Sequence, residues 1–239
     1  MGAQPQRVMA IGAHPDDIEL LCAGTLARYV EQGAHVTMAI ATNGDVGSPT
    51  LSREEIAEVR AVEARAAADL IGAELILMGF PDEFLFDDRE TRLRFIDAIR
   101  QADPDVLFVH SPSDYHPDHR NAGTIAIDAR IPASVRLVET HYPPARIPHV
   151  FLMDTLAAVD FEPEAFVDVT ATFETKKRML LCHESQDAWL RAVYDDLDYE
   201  GLVEKQASMR GLQAGCAYAE AFRSLKTYPC TGGPELLPS

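Results

Sequence analysis

The chain has 239 residues, 47% of them hydrophobic and 25% charged, and a formal charge of −17. This composition excludes a disordered chain, and no apolar run is long enough for a bilayer-spanning helix. The acidity removes nucleic acid from the expected partners, because duplex binding needs basic surface to displace counterions.

The chain opens with a single arginine and a short apolar stretch, Val8–Ala13. That stretch is too short for a signal-peptide core and reads as a first strand, with a cytoplasmic location expected. A helical pattern follows from Ile18 to about Gln32, with Gly33 at the stop position. Val36–Thr42 reads as a second strand. Ser52 and Glu55 form a capping-box signature for a helix running to Ile71. Glu74–Phe80 predicts a third strand, Arg89–Gln101 a helix, Val106–His110 a fourth strand and Asp118–Arg130 another helix. Strands alternating with helices of this length predict an α/β fold, a Rossmann-like, mostly parallel sheet with helices on both faces. Beyond Ile131 the pattern loosens. Short strands are expected at Arg136–Thr140, Val150–Asp154 and Phe166–Val169, and helices at Thr172–Cys182 and Leu202–Phe222. Pro229 to Ser239 reads as a loose tail. With no repeat or linker, residues 1–239 are expected to form a single domain. The four cysteines, Cys22, Cys182, Cys216 and Cys230, have the spacing of neither a disulfide framework nor a thiolate zinc site, and read as free thiols.

Two clusters carry chemistry. Ala13-His14-Pro15-Asp16-Asp17-Ile18-Glu19 lies where the first strand gives way to a helix, and Asp114-Tyr115-His116-Pro117-Asp118-His119 follows the fourth strand. Ligands of open parallel sheets bind outside the carboxyl ends of the strands, so both clusters fall on the same edge. Each alone is compatible with a helix cap or a solvated loop. Together they supply imidazole and carboxylate donors for a catalytic zinc site of three ligands and an open position. His14, His119 and one of the paired aspartates suit the ligand set, and spacing does not separate Asp16 from Asp17. The other aspartate is free to act as a base, His116 to act as an acid or oxyanion stabiliser, and Asp118 to fix a histidine tautomer.

At these residues the chain resembles the LmbE-like, or PIG-L, deacetylases. That family carries Ala-His-Pro-Asp-Asp-x-Glu, matched by Ala13 to Glu19, and His-x-Asp-His, matched by His116 to His119. Weaker similarities lie at Thr42-Asn43-Gly44-Asp45, Arg60 with Glu63, Gly79-Phe80-Pro81-Asp82, His183-Glu184-Ser185-Gln186 and Tyr218-Ala219-Glu220-Ala221-Phe222, so the resemblance spans nearly the whole chain. It implies a Rossmann-like fold and a Zn2+-dependent hydrolase that removes an N-acetyl group from an amino sugar or its conjugate. It also implies a homo-oligomer, trimer or hexamer. By motif position it assigns His14, Asp17 and His119 to the metal, Asp16 to the general base and His116 to the oxyanion. Substrate contacts are expected from Arg60, Asp82 and Asn43, although Asn43 stands where many relatives have a basic residue. Gly24-Thr25 keeps only the end of the family's Gly-Gly-Thr pattern, a departure expected to alter packing rather than chemistry.

Two other readings use the same residues. One is an amidase or deacylase for a non-sugar or longer-acyl amide. The other is a Rossmann-like nucleotide-binding module without hydrolysis, disfavoured because carboxylates occupy the first turn where a phosphate needs glycine amides. Arg60 could equally pair with Glu63 or Glu58 on its own helix. His110 reads as a packed, hydrogen-bonded histidine and His183 as a helix C-terminal cap. Trp189 and Tyr194 suit core or interface packing, with a sugar platform as the alternative.

Overall fold

The computed structural model describes residues 5–194 and 198–239; the expectation for the N-terminal residues 1–4 lies outside them. Five strands run parallel: β1 (Arg7–Gly12), β2 (His35–Thr42), β3 (Glu74–Phe80), β4 (Val106–Val109) and β5 (His149–Met153). β6 (Ala165–Asp168) and β7 (Ala219–Ser224) complete the sheet as antiparallel neighbours, in the order β3-β2-β1-β4-β5-β7-β6. Chain direction across the sheet reverses between β1 and β4, and the crevice at their carboxyl ends is where such sheets bind ligands.

Alternation along β1 sends Val8 and Ala10 to one face and Met9 and Ile11 to the other, and all four are buried. On the first face pack α1 (Asp17–Leu21), α2 (Ala23–Glu31), α3 (Arg53–Asp69) and α6 (Phe173–Leu180); on the second pack α4 (Arg89–Ala102) and α5 (Pro117–Ala129). The expected capping box at Ser52 and Glu55 is formed at the start of α3. Two further helices, α7 (Glu184–Val193) and α8 (Tyr199–Ala214), lie in the C-terminal third.

Four expectations differ from what forms. The helix expected over Ile18–Gln32 is two helices broken at Cys22, whose φ of −147° is not helical. The break has a cause far along the chain. Glu220 of β7 accepts the amides of Gly24 and Thr25 (3.0 and 2.7 Å), and Lys176 donates to the Leu20 carbonyl (2.8 Å) and to Glu220. Groups that would have continued the helical ladder are therefore satisfied from outside it. A Cβ at residue 24 would lie 2.9 Å from Val169, which explains the retained glycine. Glu220→Ala would remove this cap and leave a buried ammonium unpaired. A loss of about 3–5 kcal/mol is expected, read from urea unfolding midpoints.

The strand expected at Arg136–Thr140 is irregular, because the Arg100 guanidinium takes up the carbonyls of Ala133, Val135 and Val138 that a neighbouring strand would have bonded. The helix expected to Phe222 stops at Gly215, in left-handed conformation (φ 78°), and the chain re-enters the sheet as β7. The C-terminal segment is packed rather than loose: Leu237 is buried, and Tyr29 donates to the Leu236 carbonyl at 2.8 Å. Among the described residues no helix is long and apolar enough to cross a membrane. All four cysteines are free.

Candidate metal centre

β1 ends at Gly12, and the next four residues, Ala13 to Asp16, make the turn into α1. Pro15 fixes its own φ and restricts His14. Asp16 then adopts φ 118°, a strained value for a residue with a Cβ. The turn closes when the Asp17 carboxylate accepts the His14 amide at 2.7 Å. From the neighbouring strand, the loop after β4 delivers His116 as the N-cap of α5 and His119 in its first turn, with Pro117 at the favoured first helical position.

Three donors converge. His14 Nδ1 lies 3.2 Å from His119 Nε2 and 3.4 Å from Asp17 Oδ2, and His119 Nε2 lies 3.2 Å from Asp17 Oδ1. A tetrahedral zinc ion with bonds of about 2.0–2.1 Å holds its ligand atoms about 3.3–3.4 Å apart, so the spacing suits one ion. The far side of each ring is also fixed. His14 Nε2 donates to Asp82 at 3.0 Å, and His119 Nδ1 donates to Asp114 at 3.0 Å. Each ring thus turns a lone pair toward the same point, as metal-binding histidines held by carboxylates do. His110 stacks on His119 at 4.2 Å and reaches Asp17 Oδ2 at 3.0 Å.

The electrostatics also call for positive charge there. Burial opposes protonation of His14, but Asp17, Asp118 and Asp82 outweigh it and raise its pKa well above the usual value. His119 is likewise pushed up to about 9, against burial, by Asp17 and Asp114. Burial raises the Asp17 carboxyl, but His119, His110 and His14 hold it well below the usual range. A divalent cation would displace those protons and bring the same charge. The residues therefore fit a metal. Asp114 Oδ2 and Asp118 Oδ2 are buried without a hydrogen-bond partner among the described residues, with Asp118 Oδ2 3.5 Å from His14 Nε2, which adds to the negative side of the cluster.

Asp16 stands beside this cluster without joining it. Its Oδ2 accepts from the Tyr199 hydroxyl at 2.5 Å, and Arg60 Nη2 lies 3.5 Å from Oδ1. Burial raises its pKa, and the Arg60 guanidinium only partly opposes this, leaving a carboxylate tuned toward base strength. His116 Nδ1 accepts the Asp118 amide at 3.2 Å, which puts the proton of the neutral ring on Nε2, 3.3 Å from Glu83. Burial, then His14 and His119, lower its pKa.

His14, Asp16, Asp17, Asp82, His116 and His119 face a cavity of about 490 Å³. Its other wall includes Val46, Leu156, Trp189, Leu190, Tyr194 and Leu202. Arg60 lines the cavity but is buried, donating to the Pro15 carbonyl at 2.6 Å and to the Gly44 carbonyl at 3.5 Å. It pairs with neither Glu63 nor Glu58; Glu63 instead binds the amide and hydroxyl of Ser185 at 2.8 and 2.6 Å. Gly44 has φ 66°, and a Cβ there would lie 2.6 Å from the guanidinium. Asp82 is committed to His14, and Asp118 lies 3.5 Å from the same ring nitrogen. Asn43 folds back on its own loop, accepting the Asp45 amide at 3.2 Å, and is not among the cavity-lining residues described. His183 is the N-cap of α7 rather than a C-terminal cap, buried against Glu19 at 3.3 Å.

Sequence reasoning gave no role to Asp114, Glu19 or Tyr199. Asp114 sits five residues before His119, inside the second cluster, and that proximity was the available signal. Asp114→Asn is expected to weaken metal affinity about 10–100-fold, measured by competition with a chromophoric chelator.

The sequence model of the PIG-L family, described as GlcNAc-PI de-N-acetylase, matches residues 9–130. A diacetylchitobiose deacetylase of Thermococcus kodakarensis is 30% identical, over 91% of this chain and 82% of its own. A 4-oxalmesaconate hydratase of Pseudomonas putida is 25% identical, over 78% of this chain and 76% of its own. Among solved structures, the N,N'-diacetylchitobiose deacetylase of Pyrococcus horikoshii superposes with a TM-score of 0.81 at 26% identity, covering 92% of this chain and 84% of that one.

Proposed function

The chain belongs to the PIG-L family, and from that premise we propose that it is a metal-dependent hydrolase, with zinc as its ion, that removes the N-acetyl group of an amino sugar or its conjugate. The observation that carries the reading is the convergence of His14 Nδ1, Asp17 and His119 Nε2 at the floor of a cavity, with Asp16 uncommitted to them.

When bound, a divalent cation polarises a carbonyl and makes water a better nucleophile. The chain supplies the rest. Asp16 accepts the proton of the water that attacks the acetyl carbonyl, and burial is what gives it the basicity. His116 donates from Nε2 to the oxygen on which negative charge develops, a role the neutral ring already fills. The proton held at Asp16 passes to the departing nitrogen as the C–N bond breaks, so acetate and a free amine leave. Arg60 and Tyr199 hold the Asp16 carboxylate in place, while Asp82 and Asp114 keep the rings of His14 and His119 turned toward the ion. Residues 1–239 act as one domain in this reading, which is supported by β5 and β7 pairing into the same sheet as β1 and β4.

The test is acetate release from a panel of N-acetylated amino sugars, with zinc and with a chelator. Zinc-dependent release is expected. Release that survives full chelation would remove the metal from the reading. Absence of release from every member, with hydration of 4-oxalmesaconate instead, would replace the deacetylase with the hydratase chemistry named for the Pseudomonas putida relative.

A further inference from the structure

We infer that the wall formed by α7 and its neighbours binds an uncharged ring attached to the amino sugar, and that the site selects against anionic attachments. The inference rests on the deacetylase reading and names the substrate class within it.

The cavity, at about 490 Å³, falls in the range of about 300–1,000 Å³ that encloses a drug-sized ligand, so a two-ring glycoside fits. One side of it is the catalytic floor. Apart from Glu83 and Gln186, the other side is mostly apolar or aromatic, with Trp189 and Tyr194 set edge to face, ring centroids 6.0 Å apart at 81°. No residue of α7 is fully buried, and Trp189 and Leu190 of this helix line the cavity. The helix is nevertheless anchored: Glu63 of α3 holds Ser185 by two hydrogen bonds, and Leu190 packs against Tyr199 and its neighbours. Aromatic faces carry negative potential and pack well on the C–H face of a sugar or the edge of an aryl ring.

Cationic partners for an anionic attachment are scarce. Among the described cavity-lining residues, Arg60 is the one lysine or arginine; its Nη atoms turn to Pro15, Gly44 and Asp16, and although its buried Nε has no hydrogen-bond partner, the guanidinium already faces the Asp16 and Asp82 carboxylates. The rim instead presents the Glu83 carboxylate beside His116. Desolvating a second negative charge there without a cation is costly, and the −17 formal charge of the chain adds long-range repulsion.

Trp189 is the single tryptophan of the chain, so intrinsic fluorescence reads this wall directly. The zinc-loaded Asp16→Asn protein, in which turnover is slowed, would be titrated with phenyl N-acetyl-β-D-glucosaminide, N,N'-diacetylchitobiose and N-acetylglucosamine 1-phosphate. The two neutral glycosides are expected to change the emission with half-saturation at least about tenfold below that of the phosphate. In the otherwise wild-type enzyme, Trp189→Ala is expected to lower kcat/KM for the phenyl glycoside about tenfold more than for free N-acetylglucosamine, through KM. Trp189→Phe is expected to restore most of the difference. Phosphate binding as tight as that of the neutral ligands, silence of the emission with all three, or an equal effect of Trp189→Ala on both substrates would each overturn the inference. Acetate release with silent emission would leave the deacetylase reading standing and remove this one. Ranked emission changes without any acetate release would do the reverse.

Discussion

Asp16→Asn is expected to lower kcat for acetate release about a thousandfold while metal content stays at the wild-type level. General-base assistance contributes about 10²–10⁴-fold, and an amide of the same shape cannot accept the proton. Asparagine is the informative replacement for a second reason. Residue 16 has φ 118°, and asparagine tolerates positive φ better than most side chains, so the turn into α1 survives. The amide oxygen can still accept from Tyr199. Steady-state rates together with metal analysis check the prediction. A variant within tenfold of the wild-type kcat would move the base elsewhere in the cavity.

His119→Ala is expected to abolish both turnover and the stabilisation that zinc confers. The substitution removes one of three protein donors and leaves His14 and Asp17 facing an open side. An ion that binds only the native state stabilises it by about 4.1 kcal/mol at 1,000 times its Kd. The wild-type Tm should therefore rise clearly on adding zinc, and that of the variant should not. Because His119 lies in the first turn of α5, where Asp118 and Pro117 remain, the helix itself should persist. An unchanged Tm response to zinc would take His119 out of the ligand set.

The parts of the site legible in the sequence are those in which the deciding residues are neighbours. His14, Asp16 and Asp17 share one turn, His116 and His119 share another, and the alternation of strands and helices puts both turns on the same sheet edge. Arg60 carried a signal of a different kind. Ile56, Arg60, Ala64 and Ala67 form the buried stripe of α3, and an arginine at such a position is committed to protein partners. What the sequence concealed depends on contacts between distant segments. The Tyr199 hydroxyl meets a carboxylate 183 residues away. The break at Cys22 depends on Glu220 and Lys176. Ala219–Phe222 has helical propensity, yet pairing with β5 and β6 overrides it and makes β7 a strand; Gly215 is the readable stop of the helix before it. The strand expected at Arg136–Thr140 failed because a single guanidinium satisfied the carbonyls that a neighbouring strand would have bonded.

The cavity is assembled from two stretches of chain with different tasks. His14 through His119 lie within the segment that matches the PIG-L family model, residues 9–130, while Leu156, Trp189, Tyr194 and Leu202 lie beyond it. Most of the wall is therefore inherited separately from the floor, with Val46 inside the matched segment and Tyr199, which holds Asp16, beyond it as exceptions. Substitutions at Trp189, Tyr194 and Leu202 can retune what enters, whereas Tyr199 at the start of α8 has to stay because it holds Asp16. A scaffold divided in this way can change clients by drift in its last third, and an engineer could graft a foreign wall onto the reactive floor provided that Tyr199 is kept.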